Sequence, residues 1–156
     1  MILPAALVPI VIGAVWYNPK VMGTAWMKAA GLTEEKLRSG SMLKIFGVSL
    51  ILSLMLAFLM PSIVIHQSHI FSIFADLGND AEAMADRDAF IEKYGQLYRT
   101  FKHGVLHGVI AALFFVLPVF GINALFERKG FKYVAINVGY WLITLGLMGG
   151  IVCQLL

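Results

Sequence analysis

Four long stretches of the chain contain no Asp, Glu, Lys or Arg, and polar connections of very different length separate them. The stretches cover residues 1–17, 45–65, 104–126 and 133–156. Because an α-helix rises 1.5 Å per residue, about 20 apolar residues cross about 30 Å of hydrocarbon. The pattern therefore predicts four transmembrane helices, the first of them near the lower limit of length.

The polar connections predict further helices outside these spans. Asn18 is a good N-cap, Pro19 suits a first helical position and Gly31 suits a C-terminal stop. We therefore expect a short helix from Pro19 to Ala30 that lies along the cytoplasmic membrane surface. Residues 81–100 carry apolar side chains at mostly helical spacing among acidic ones. That spacing predicts an amphipathic outer extension leading into the third stretch.

The distribution of charge predicts how the chain is oriented. Eight of the twelve Lys and Arg residues lie in the first and third connections, residues 18–44 and 127–132, whereas the second connection, residues 66–103, carries an acidic cluster. The positive-inside rule places the two basic connections in the cytoplasm, so both termini and the acidic connection face outward. The net charge of +3 is thereby explained by topology, and we expect no nucleic-acid partner.

Composition agrees with a membrane protein, since 60% of the residues are hydrophobic and 13% are charged, and the mean hydropathy is +0.83. The predicted fold class is all-α. We expect a single domain, residues 1–156, forming an integral membrane bundle of four transmembrane helices with the lipid bilayer as its solvent.

Small residues recur along the last two predicted spans, where they would let helix backbones approach closely. We expect these strips to face each other within one chain, with a dimer or a partner protein as the alternative. The residues of the two strips are Gly104, Gly108, Ala112, Gly139, Gly146 and Gly150.

The four histidines of the chain all fall near the predicted outer boundary of the membrane: His66, His69, His103 and His107. A spacing of four puts His103 and His107 on one face of a helix, and a spacing of three does the same for His66 and His69 if that helix continues. Four imidazoles could bind Zn²⁺, copper or haem iron. The alternative is that they hydrogen-bond to lipid headgroups or to the backbone, and no cofactor is assigned.

Several classes of function lack their usual sequence features. Proton or ion transport normally places ionisable residues inside the spans, and none is present there. There is no nucleophile elbow and no HExxH motif, so we expect no enzyme. The one cysteine, Cys153, is expected to be a small buried hydrophobe. A third hypothesis is a neutral lipophile as ligand, with Tyr140, Trp141 and Asn137 lining a cleft.

Segments in both halves of the sequence resemble an uncharacterised family of small bacterial four-helix membrane proteins, which is classified as a domain of unknown function. The similar segments are Gly13–Pro19, Met22–Lys28, Gly31–Thr33, His107–Gly108, Pro118, Asn123–Arg128 and Ile136–Trp141. The most distinctive part is a Trp-Tyr-x-Pro…Gly-x-x-Trp signature. The resemblance implies four spans in the inner membrane of a bacterium and brings no activity, cofactor or substrate with it.

Taken together, these patterns favour a non-enzymatic membrane protein that acts by association. It would be an accessory or stabilising subunit of a membrane complex, or a homo-oligomer. Metal or haem binding by the histidines and binding of a neutral lipophile are the alternatives.

Overall fold

A computed structural model describes residues 2–156, and this part of the chain is helical without a β-strand. The predicted all-α class is therefore correct. The predicted first span began at Met1, which lies outside the described residues. The nine α-helices are α1 (Ile2–Trp16), α2 (Thr24–Ala30), α3 (Glu34–Arg38), α4 (Met42–Val64), α5 (Ser68–Ile73), α6 (Ala81–Tyr94), α7 (Phe101–Ala111), α8 (Leu117–Phe126) and α9 (Phe131–Leu155).

Three helical segments are long and apolar enough to cross a membrane: Met42–Val64, Phe101–Phe126 and Phe131–Leu155. Each begins two or three residues before its predicted span. The reason is that the helix includes a lysine, whereas the predicted span contains no charged residue. The helix α1 is short for a span at 15 residues. The axes of α1 and the segment Pro19–Ala30 are bent by 55° relative to each other. If this bent pair is counted as a single span, the chain has four spans.

The segment Phe101–Phe126 is continuous because a wide helical turn accommodates its proline. Pro118 lies at the start of α8 and has no N–H to donate. The preceding residues, Ala112–Val116, form a π-helical turn, and the Leu117 N–H donates to the Ala112 carbonyl five residues back. The extra residue in this turn relieves the steric conflict that a proline creates inside an α-helix.

The second connection, residues 66–103, which we call the outer connection after its expected side, differs from its prediction. The amphipathic extension ends as a helix at Tyr94, and α7 begins afresh at Phe101 with Thr100 as its N-cap. Between them the chain turns, and Tyr98 has a left-handed φ of 63°. The expectation of one extension running to Thr100 and into the third span is therefore wrong, because this turn ends the helix although apolar residues continue at helical spacing past Tyr94.

The last helix, α9, is the centre of the molecule and packs against α7, α1 and α4. The core between these helices contains Met60 and Val64 of α4 together with Met148 and Val152 of α9, all almost fully buried. By contrast, most of the exposed side chains of α4 and α8 are apolar. An apolar exterior around a packed centre is the arrangement that a hydrocarbon solvent favours.

The closest approach in the bundle is between α7 and α9. A Cβ atom added to Gly104 would collide with the backbone of Gly149, and one added to Gly108 would collide with the Leu145 carbonyl. Ala112 is fully buried on the same face. Small residues therefore let these two backbones touch within one chain.

The remaining glycines of the predicted strips have different neighbours. Gly150 lies under the ring of Phe101, and Gly146 lies against valine side chains of α7. Gly139 faces the indole of Trp16 on α1, so it belongs to a different helix pair from the one predicted. Gly149, which the spacing argument passed over, is the residue that meets Gly104.

Candidate functional site

Three of the four histidines converge at one end of the bundle, beside the outer connection. One ring nitrogen from each of His66, His103 and His107 lies within 4.8 Å of the others. The shortest separation is 2.9 Å, between the Nε2 atoms of His66 and His103. The ring centroids are 4.9, 4.9 and 4.5 Å apart. We call these three residues the histidine cluster.

Two elements bring the cluster together. His103 and His107 lie one turn apart on α7, so their side chains share a face, as the spacing of four predicts. His66 lies in the turn that follows α4, and α4 packs against α7. The fourth histidine, His69, lies on α5, is exposed and does not belong to the cluster. The helix that would have aligned it with His66 ends at Val64, because the chain turns before α5 begins.

Tyr98 covers one side of the cluster. Its ring stacks on that of His103, with centroids 5.1 Å apart and an interplanar angle of 21°, and it meets His66 edge to face. Arg99, next in the chain, donates from Nε to the Cys153 carbonyl at 3.0 Å, near the end of α9. A cation at a helix C-terminus is favourable, since the last carbonyls carry partial negative charge. The turn that carries Tyr98 is thereby tied to the bundle.

A pocket of about 550 Å³ adjoins the cluster. Its wall consists of His66, Gln67, Ile70, Phe90, Tyr94, Leu97 and Tyr98. Gln67 is buried, and its side-chain amide nitrogen donates to the carbonyls of Tyr94 and Leu97 at 2.9 and 2.8 Å. These two bonds hold the end of α6 against the turn after α4, so the wall is built from two parts of the outer connection. We call this space the outer pocket.

At the opposite end of the bundle, the Trp16-Tyr17 pair connects α1 to α9 by side-chain hydrogen bonds. Trp16 Nε1 donates to the Ile136 carbonyl at 3.0 Å. The Tyr17 hydroxyl donates to Asn137 Oδ1 at 2.9 Å. The distinctive aromatic residues of the sequence thus join the first and last long helices of the chain, and such polar contacts help helices associate where the surroundings are apolar.

A second cavity, of about 620 Å³, lies between α1, α4 and α9. Tyr140 and Trp141 belong to its wall, as the hypothesis of a lipophile site requires, whereas Asn137 does not. The Tyr140 hydroxyl donates to the Pro9 carbonyl at 2.9 Å, so this tyrosine already has a partner within the bundle. The structure therefore places two of the three residues named for a neutral ligand at one cleft.

The geometry defines a class: an all-helical protein with three to four helices suited to a membrane and a group of imidazoles at one end of the bundle. The profile of one protein family, described as Protein of unknown function (DUF1761), matches residues 1–153. The chain belongs to this family, which confirms the resemblance to an uncharacterised family. No curated protein matches the chain, and no solved structure matches it.

Sequence reasoning missed Tyr98, Gln67 and Arg99 as residues around the histidine cluster. All three belong to the outer connection, where the helical spacing of residues 81–100 does not show which residues approach the histidines. One signal was available in the sequence: a polar residue directly follows each of His66 and Tyr98, namely Gln67 and Arg99. The burial of Gln67 and its partners depend on how α6 folds back onto the turn after α4, and the partner of Arg99 is a carbonyl of α9.

Proposed function

We propose that this protein binds a transition-metal ion through His66, His103 and His107 at the outer end of a membrane bundle. The observation that carries this proposal is the convergence of one nitrogen from each ring within 4.8 Å. Neutral imidazole is the commonest protein ligand of zinc and also suits copper, iron and nickel. In a tetrahedral zinc site the metal lies about 2.0–2.1 Å from each nitrogen. The proposal requires side-chain rotations that bring the three nitrogens to this distance from one ion.

The arrangement favours a bare ion over haem. The rings of the cluster are separated by 4.5 to 4.9 Å between centroids. A porphyrin held by two histidines must lie between their rings, and this spacing leaves no room for it. Three nitrogens converging on one point are typical of a zinc or copper site with one position open.

The setting we propose for this site is a bundle of four spans in the inner membrane of a bacterium. In this arrangement α1 is the first span, and Pro19–Ala30, bent from it by 55°, lies along the cytoplasmic interface. The basic residues of the first and third connections favour a cytoplasmic position for both. Both termini and the histidine cluster then face the periplasm.

Isothermal titration with Zn²⁺ tests metal binding. The protein is purified in detergent with an affinity tag that contains no histidine and is stripped of metal before the titration. We expect one ion per chain, and a decrease in affinity of at least about a hundredfold in His107→Ala, since even outer partners of a metal change affinity 10–100-fold. His69→Ala is the matched control, because His69 is a nearby exposed histidine outside the cluster. Absence of stoichiometric zinc, or equal losses in the two variants, would contradict the proposal.

Association with another membrane protein or with a second copy is the second candidate function. One observation favours it: Phe71, Ile73 and Leu77 of the outer connection are 55%, 66% and 42% exposed, beyond the ends of the long spans. The strips on α7 and α9 contact each other inside one chain, so the association would use this outer surface instead. Native electrophoresis after gentle extraction from the source membrane tests it, and a lone monomer in repeated preparations would count against it.

A further inference from the structure

The histidine cluster supplies three ligands, whereas tetrahedral zinc takes four. Among the residues that the structure describes, no Asp, Glu or Cys joins the three histidines within the same distance of one another. A bound ion would therefore keep one position for a molecule that is not part of this chain. Three protein ligands with one open position are the usual arrangement where a metal must also bind a second partner.

The outer pocket lies where such a molecule would be expected. His66 belongs both to the cluster and to the pocket wall. Tyr98, which stacks on His103, also belongs to the wall. The pocket, at about 550 Å³, is within the size range of small-molecule sites. The cluster and the pocket therefore form one continuous site, with nitrogen ligands at one end and open space beside them.

The chemistry of the wall restricts what the pocket can hold. Ile70, Phe90 and Leu97 supply apolar surface, and no charged side chain is part of the wall. Burying an unpaired charge against such a surface is unfavourable, so the part of a ligand that packs against this wall should be uncharged. The wall is also held in place before any ligand arrives, because Gln67 bonds to one carbonyl at the end of α6 and to another in the turn that follows.

We propose that the outer pocket binds a small molecule with one metal-coordinating atom and an uncharged, apolar body. The coordinating nitrogen, oxygen or sulfur takes the open position on the ion, and the apolar body packs against Ile70, Phe90 and Leu97. This inference rests on the proposed metal site and adds the class of ligand that the site receives.

Cobalt(II) substitution makes the proposal measurable, because the visible absorption of Co²⁺ changes when its ligands change. The probes are imidazole and 4-phenylimidazole at a pH where both are neutral. They share the coordinating nitrogen and differ in one apolar ring. We expect both to alter the cobalt spectrum and 4-phenylimidazole to bind about tenfold or more tightly, because its phenyl ring is removed from water.

Two variants separate the pocket from the metal. Ile70→Trp fills the pocket and is expected to remove the preference for 4-phenylimidazole while imidazole still binds. Ile73→Trp is the matched control, since Ile73 is 66% exposed and does not belong to the wall. It should keep the preference of the unsubstituted protein. The cobalt stoichiometry of each variant shows whether the histidine cluster is intact.

The outcomes distinguish the two proposals. If no cobalt binds, the metal site itself is wrong and the ligand proposal falls with it. If cobalt binds but neither probe changes its spectrum, the metal site stands and the open position is refuted. If both probes bind equally, or if Ile70→Trp keeps the full preference, the outer pocket is not where the apolar body lies.

Discussion

Replacing Gly108 with alanine tests the close contact between α7 and α9. An added Cβ at Gly108 would lie 2.8 Å from the Gly146 nitrogen and nearer still to the Leu145 carbonyl. Ordinary contact distances are about 3.5–4.0 Å, and the obstructing atoms are backbone, so no side-chain rotation can relieve the collision. The two helices would have to move apart by roughly 1 Å, which would weaken contacts along their length.

The magnitude follows from two opposing effects. Forcing an extra methyl group into a packed interior costs about 1–3 kcal/mol. Alanine is a better helix former than glycine by about 1 kcal/mol, which offsets part of that cost. Gly121 lies on the same long span with no atom within 4 Å of its added Cβ, so Gly121→Ala shows the helix-forming gain alone. We therefore expect the two variants to differ in stability by about 1–3 kcal/mol.

Thermal unfolding in one detergent, followed by intrinsic fluorescence, measures this difference. A change of 1 kcal/mol shifts Tm by about 2–4 °C in a domain of this size, so Gly108→Ala should melt about 2–12 °C below Gly121→Ala. Equal melting temperatures in the two variants would mean that the backbones of α7 and α9 do not touch at Gly108, and the packing described above would be wrong.

Two further predictions concern the bundle end that carries Trp16 and Tyr17, and the topology. Tyr17→Phe removes the hydrogen bond to Asn137 and should lower the free energy of unfolding by about 1 kcal/mol. Tyr133→Phe is the control and should leave Tm unchanged, because its hydroxyl has no hydrogen bond within the described part of the chain. Equal effects of the two substitutions would refute the role of the Tyr17 bond. Reporter fusions should place Lys36 in the cytoplasm and Asp86 in the periplasm. The same compartment for both would refute the four-span arrangement.

The positions of the long helices could be predicted from the sequence because the property that determines them is local. An uninterrupted apolar run either is or is not long enough to cross hydrocarbon, whatever the rest of the chain does. The three longest helices lie within three residues of their predicted limits. The shared helix face of His103 and His107 could be predicted for the same reason, since two residues four apart on one helix share a face in any fold.

The outer connection could not be predicted in the same way. Its helix was extended too far because apolar spacing continues past Tyr94, while the turn at Tyr98 depends on contacts with α9 and with Gln67. A left-handed φ at a tyrosine is uncommon, and only surrounding structure maintains it. Residues that contact each other from opposite ends of the chain leave no short-range pattern in a single sequence.

Helical structure, the location of the apolar runs and the residues small enough for helices to touch could all be predicted from the amino-acid order. The contacts required the folded chain: Gly104 meets Gly149, Gly139 meets Trp16, and His66 joins the two histidines of α7 while His69 does not. The physical reason is that apolar length and side-chain size belong to each segment alone. The rotation of one helix against another is decided by packing between residues far apart in the chain.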